Sequence, residues 1–125
     1  MGKATHTTTG KEGEKEAKTY LEKKGYQILH TNWRSGHYEL DIVATLPDEL
    51  VCIEVKTRST DPLLLPEEAV NTRKIRRLVA ATHAYVRYFK IDLPIRFDII
   101  TLIHQPGGYQ IEHIENAFYA PISKR

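Results

Sequence analysis

Val51-Cys52-Ile53-Glu54-Val55-Lys56-Thr57 is the stretch on which the fold turns. Alternate side chains of a strand share a face, so Val51, Ile53 and Val55 point one way and Cys52, Glu54 and Lys56 the other. The run is rich in β-branched residues and follows the turn Pro47-Asp48-Glu49, which predicts a strand over Leu50–Thr57. Just upstream, Tyr38-Glu39-Leu40-Asp41-Ile42-Val43 opens a strand predicted over Tyr38–Leu46. Here Glu39 and Asp41 share one face, and Leu40 and Ile42 the opposite one. If the two strands pair, acids and a lysine gather on one side of a sheet.

Working outward, Tyr26–Trp33 is a third strand candidate, joined through Ser35-Gly36. A helix is predicted over Lys11–Lys24, closed by Gly25 at C′. Residues 58–66 read as a proline-bearing loop before a long helix over Glu67–Phe89. Pro94 precedes a strand over Ile95–His104, and Pro106-Gly107-Gly108 turns into a last strand over Tyr109–Ile114. Short turns favour an antiparallel meander for the first three strands, and the long helix suits a crossover to a parallel position. The expected fold class is α/β, a mixed central sheet flanked by helices in the order α-β-β-β-α-β-β. The chain reads as a loose polar tail over 1–9, one domain over 10–120, and a loose C-terminal tail over 121–125.

Composition narrows the function classes. The 125 residues are 41% hydrophobic and 27% charged, as in soluble globular domains. No apolar run approaches the ~18 residues of a membrane span, and the single Cys52 excludes an internal disulfide. The polar start lacks the apolar core of a signal peptide, so a cytoplasmic location is expected and no membrane partner. The net charge is +2, yet residues 71–90 carry Arg73, Lys74, Arg76, Arg77, Arg87 and Lys90 with no Asp or Glu. The basic charge is therefore concentrated on the long helix.

The acids on the strands admit two readings. One is a solvated sheet face with a cross-strand Glu–Lys pair worth a few tenths of a kcal/mol. The other is a metal site. Hard carboxylates, with a strand carbonyl as a third oxygen, suit Mg²⁺ or Mn²⁺ rather than zinc. The first helix bears on the choice. Glu14 lies on the apolar stripe of Ala17 and Leu21, whereas Glu12 and Glu16 lie on the opposite face. An acid on a packing face is costly unless paired. In the first turn of a helix, however, it is favoured by the helix dipole without burial.

Asp41 and, thirteen residues later, Glu54-Val55-Lys56 resemble the core of the PD-(D/E)xK nuclease superfamily. The surroundings are more specific. Gly10-Lys11-Glu12-Gly13-Glu14, Gly25-Tyr26, Asn32-Trp33-Arg34, Glu39-Leu40-Asp41-Ile42-Val43-Ala44 and Glu54-Val55-Lys56-Thr57-Arg58-Ser59 are joined by Glu68-Ala69-Val70, Lys74 and Arg96-Phe97-Asp98. Together they resemble the YraN-like family of uncharacterised bacterial proteins over about residues 10–103. The resemblance implies a restriction-endonuclease-like fold and a likeness to archaeal Holliday-junction resolvases. Two departures are visible: Leu40 replaces the proline of the superfamily name, and His37-Tyr38 stand between Gly36 and Glu39.

That resemblance implies a Mg²⁺- or Mn²⁺-dependent endonuclease acting on DNA, with branched or recombination intermediates as substrates. Asp41, Glu54 and the Val55 carbonyl would hold the metal. Lys56 would orient a water and offset developing negative charge. Acting as a full base would require depressing its pKa from ~10.4, so orientation is favoured. Glu14 would bind a metal-coordinated water, and Glu39 would stand behind the ligands. On the long helix, the expected apolar stripe is Ile75, Leu78, Val79, Thr82, Val86 and Phe89. Arg73, Arg76, Arg77 and Arg87 project away from it, with Lys74 at its flank, and Arg58 lies just past Lys56. This basic face is either a phosphate track or merely a solvated surface. Two other readings stay open: a nucleic-acid-binding accessory protein that cuts nothing, and a protein-interaction module. A junction enzyme would most naturally be a homodimer. Trp33 and Cys52 are expected in the core, and Arg96 and Asp98 as an ion pair on one strand face.

Overall fold

The computed structural model describes residues 2–58 and 72–118, with side chains from Lys11 onward. The elements are α1 (Gly2–Lys23), β1 (Gln27–Ser35), β2 (Tyr38–Leu46), β3 (Glu49–Arg58), α2 (Thr72–Phe89), β4 (Ile95–Gln105) and β5 (Gly108–Phe118). Their order is the expected α-β-β-β-α-β-β. The five strands form one sheet in the order β1-β2-β3-β4-β5. β1, β2 and β3 pair as an antiparallel meander, β3 and β4 are parallel, and β4 and β5 antiparallel. Helix α2 is thus the crossover between the two parallel strands. The start of the expected second helix at Glu67, Glu68-Ala69-Val70, Ser59 and the loose tail 121–125 lie outside the described residues.

Helix α1 begins at Gly2, ahead of the expected Lys11, so most of the stretch read as a polar tail is helical. Extending an existing helix adds one hydrogen bond per residue fixed, which offsets the weak propensity of the Thr-rich start. The other end matches expectation. Gly25 adopts φ 97, its N–H donates to the Glu22 carbonyl, and the Tyr26 N–H donates to the Leu21 carbonyl at 3.0 Å. That is a Schellman closure, in which the left-handed residue is best a glycine. Between β1 and β2, Gly36 at φ 59 makes the tight turn and Ser35 pairs with Tyr38. His37-Tyr38 therefore complete a hairpin and its first strand residue.

Each helix covers one face of the sheet. Under α1, Ala17 and Leu21 pack with Ile42, Ala44, Val51, Ile53, Ile100 and Leu102. Under α2, Ala81 and Tyr85 pack with Leu40, Val43, Leu50, Cys52 and Phe97. The β3 alternation is as expected, with Val51 and Ile53 toward α1 and Cys52 toward α2. Burial pushes the Cys52 thiol up to about 11, which keeps it protonated and inert. The β2 alternation is not as expected. Leu40 belongs to the α2 cluster and Ile42 to the α1 cluster, so the two do not share a face. The period of two breaks at Asp41, opposite Asn32, which holds φ 53 on β1.

Helix α2 buries most of the expected stripe, with Thr82 enclosed and Leu78, Val79 and Val86 packed on the core, and adds Ala81 and Tyr85 to it. Its buried residues are Ala81, Thr82 and Tyr85, whereas Phe89 is exposed. Tyr85 can turn inward because its hydroxyl meets His30 Nδ1 at 2.6 Å, which satisfies the polar tip. Trp33 packs edge-on to the same ring, as expected of a core residue.

Gly13 marks the closest approach of α1 to the sheet. A Cβ there would stand 2.9 Å from Thr57 Oγ1 and 3.0 Å from Leu102 Cδ1. Leu102 is fully buried and cannot step aside. We expect Gly13→Val to lower stability by about 2 kcal/mol, because overpacking strain exceeds the gain in helix propensity. Urea denaturation checks this; an unchanged midpoint would mean that α1 slides freely on the sheet.

Candidate metal and nucleic-acid site

Asp41 sits where β2 leaves regular pairing with β3, whose last regular partners are Ile42 and Ile53. Beyond that point the Val55 N–H donates to Asp41 Oδ2 at 2.9 Å. The carboxylate takes the place of a ladder acceptor, so β3 itself fixes its position. Glu54 points to the α2 face with Cys52, as the strand alternation requires, and its Oε2 lies 2.8 Å from Lys74 Nζ. The Glu54 side chain is 11% exposed.

Two further acids converge on this pair. Glu14 is half-buried and accepts a hydrogen bond from the Asn32 side-chain amide. With α1 starting at Gly2, Glu14 lies well inside the helix, so the first-turn dipole explanation of this acid is set aside. Glu12 and Glu16 are exposed, as expected. Burial raises the pKa of Glu14, the Asn32 bond opposes it, and the charges of Glu39 and Glu54 add to the rise. Glu39 forms an exposed ion pair with Arg34 at 2.7 Å.

Asp41 feels this convergence most. Burial and then the charge on Glu54 push its carboxyl up to about 7, against the Val55 N–H bond, with Glu14 and Glu39 contributing further. Like charges held together in a desolvated site disfavour ionisation, and a cation would relieve that cost. Asp41, Glu39 and Glu54 line a cavity of about 300 Å³ together with His37, Tyr38, Lys74, Arg77 and Leu78. An acidic wall thus faces a basic one.

Not every expected residue joins this cavity. Lys56 is half-buried on the Glu54 face of β3, two residues further on, and is not part of the cavity wall among the described residues. Arg58, Arg73, Arg76 and Arg87 are exposed, the last three along α2. Arg77 is exposed yet also lines the cavity. Lys74, read from sequence as a flanking phosphate contact, directs its ammonium to Glu54. Among the described residues, no three His, Cys, Asp or Glu side chains form a metal-holding group. What the cavity offers is two carboxylates, Asp41 and Glu54, beside Glu39. Such a pair would suit Mg²⁺, which usually binds through one or two carboxylates and keeps several waters.

Asn32 was not legible as a site residue, although asparagine is among the few residues that tolerate a positive φ. A second polar centre was legible only in part. Asp98 is fully buried, and Arg96 donates to it twice, from Nε to Oδ1 and from Nη2 to Oδ2, both at 2.9 Å. His113 Nε2 meets Oδ2 at 2.7 Å and the Asn116 N–H meets Oδ1 at 2.9 Å. Burial raises the Asp98 pKa, but these bonds outweigh it and hold the carboxyl below its ordinary value. Arg96 also reaches the Tyr26 hydroxyl at 2.6 Å and Glu49 at 3.2 Å. This network ties the end of α1 to β3, β4 and β5, on the face away from Glu54. The expected Arg96–Asp98 pair is thus present, with partners sequence did not reveal.

A family model described as uncharacterised protein family UPF0102 matches residues 13–102. A UPF0102 protein of Parabacteroides distasonis is 64% identical over 118 residues, covering 94% of this chain and 98% of its own. One from Bacteroides thetaiotaomicron is 55% identical over 119 residues, with 95% and 98% covered. One from Flavobacterium psychrophilum is 45% identical over 116 residues, with 93% and 98% covered.

Proposed function

This chain belongs to the UPF0102 family, and from that premise we propose that it is a Mg²⁺- or Mn²⁺-dependent endonuclease hydrolysing phosphodiester bonds of DNA, with branched or recombination intermediates as substrates. One observation carries the reading. The Asp41 carboxyl is pushed up to about 7 by burial and by three neighbouring acids, in a cavity whose other wall holds Lys74 and Arg77. A purely structural acid is normally paired with a cation or left in water. Perturbed carboxylates in a cleft mark functional sites.

Asp41, Glu54 and the Val55 carbonyl would hold the metal. Such an ion polarises a phosphate oxygen and makes a bound water more acidic. The chain supplies the rest. The Val55 N–H fixes the Asp41 carboxylate. Arg77 and Lys74 place the phosphate by charge. Lys56 orients the water and offsets negative charge as it develops. Glu14, held by Asn32 and outside the cavity wall, would accept a hydrogen bond from a metal-coordinated water, and Glu39 pairs with Arg34. Arg58, Arg73, Arg76 and Arg87 supply the phosphate track.

The test is cleavage of linear, flap, fork and four-way DNA with Mg²⁺ or Mn²⁺. Asp41→Ala and Lys56→Ala should abolish cutting with the circular dichroism spectrum unchanged. Cutting that survives both substitutions would remove the site. If four or five phosphates are contacted, log K should fall with log salt at a slope of about −4. The Lys74–Glu54 ion pair favours one second reading. It occupies an oxygen the metal would need, as in a DNA-binding accessory protein that cuts nothing. DNA binding with no cleavage on any of these substrates would support that reading. Among the described residues no helix is long and apolar enough to cross a membrane.

A further inference from the structure

Tyr88 is 74% exposed, far more than any other large hydrophobic side chain described. Its ring is nonetheless braced. It packs perpendicular to Phe89, with centroids 4.8 Å apart and planes at 86°. Phe89 in turn contacts Tyr85 at 4.7 Å and His30 at 4.9 Å, which carries the contact down to the core under α2. Tyr88 is thus held through Phe89 while most of its ring stays open to solvent.

Its place on the helix is specific. Tyr88 follows Arg77 by eleven residues, about three helical turns, so the two lie nearly on one line about 16 Å apart. Half-buried Ala84 falls beside that line and raises no bulky side chain between them, while Ala81 on its other side is buried against the sheet. Arg73 extends the line at one end, while Arg87 flanks Tyr88 at the other. Lys90 ends the helix at φ 55, where the Ile91 N–H donates to the Val86 carbonyl at 2.9 Å. No Asp or Glu interrupts the stretch from Thr72 to Lys90. The line therefore starts at the acidic cavity, where Arg77 is part of the wall, and ends on an open aromatic face beside cations.

We infer that Tyr88 is a stacking platform for an unpaired base, so that the preferred substrate carries a single-stranded segment or a break in pairing at a set distance from the cavity. The inference rests on the nuclease reading of the cavity and adds a substrate class to it. Bases inside a duplex have both faces covered by their neighbours. An open ring can therefore stack only on a base that is already unstacked. Cations around the ring neutralise the adjoining phosphates, and small Ala84 lets the backbone run close to the helix. At ~3.4 Å of rise per nucleotide, 16 Å corresponds to roughly five nucleotides between platform and cavity.

Binding of two probes at low salt decides the matter: a blunt duplex, and the same duplex with a single-stranded overhang carrying 2-aminopurine. Tyr88→Ala should lose about tenfold in affinity for the overhang probe and keep its affinity for the blunt duplex. Tyr88→Phe should bind both like the natural protein. The 2-aminopurine fluorescence should be quenched by the natural protein and Tyr88→Phe, and not by Tyr88→Ala. Because Tyr88 is so exposed, the alanine variant should fold normally. Equal overhang affinity for Tyr88→Ala and the natural protein would overturn the platform and leave the nuclease reading intact. Failure of the natural protein to bind either probe would overturn both.

Discussion

Asp41→Asn will raise the stability of the metal-free protein at pH 8 while removing the cleavage proposed for it. The carboxyl moves from an ordinary 3.8 to about 7 on folding. A raised folded pKa means that the folded state holds the proton more tightly than the unfolded chain does. The contribution to stability is fully present below about pH 4 and is lost as pH rises through 7. Above that, ionised Asp41 costs roughly 3 to 4 kcal/mol. Asparagine keeps the shape and an oxygen for the Val55 N–H, yet carries no charge beside Glu54, Glu14 and Glu39. Its melting temperature should therefore exceed that of the natural protein at pH 8 by on the order of 10 °C. At pH 4 the difference should vanish. Mg²⁺ at a hundredfold excess over its Kd should return about 2.7 kcal/mol to the natural protein and little to the variant. Thermal melts with and without chelator at both pH values read this directly. An asparagine variant no more stable than the natural protein at pH 8 would mean that the acids do not crowd Asp41.

The second large effect belongs to the opposite face of the sheet. Asp98→Ala should cost about 3 to 5 kcal/mol, because it strands Arg96 without its two-point partner in a buried site. It also removes the acceptors of His113 Nε2 and the Asn116 N–H. The folded pKa of Asp98 is depressed, so its contribution is present above about pH 4 and lost as pH falls through the lower folded value. The gap between the two proteins should therefore narrow in acid. Urea titrations at pH 7 and pH 3 measure this. A constant gap would assign the loss to packing alone. The network holds no part of the acidic cavity, so the proposed cleavage should persist in folded Asp98→Ala.

These two acids also show what could be read from the chain. Arg96-Phe97-Asp98 places both charges on one strand face, so their pairing was visible from local alternation. His113 and Asn116 were not, because they come from β5. There, Asn116 at φ 52 lies beside an irregularity in the β4–β5 register. Asp41 was visible as a candidate from its spacing to Glu54-Val55-Lys56. Its unusual state was not, since it depends first on burial and on Glu54 brought alongside by β3, with Glu14 from α1 and Glu39 adding smaller shares.

What the sequence determined by itself is local and periodic. It includes the strand at Leu50–Thr57, the Glu54 face, the Gly25 closure of α1, the turn at Gly36 and the basic run on α2. Each follows from backbone geometry and side-chain alternation over a few residues. Tertiary structure decided the rest. It broke the β2 period at Asp41 opposite Asn32, and turned α2 so that Tyr85 met His30 and Phe89 was left partly exposed against both. It also brought Lys74 to Glu54. Hydropathy ranks residues one at a time. Which face is buried is settled by whether a polar tip finds a partner across the sheet, and such partners stand far away along the chain.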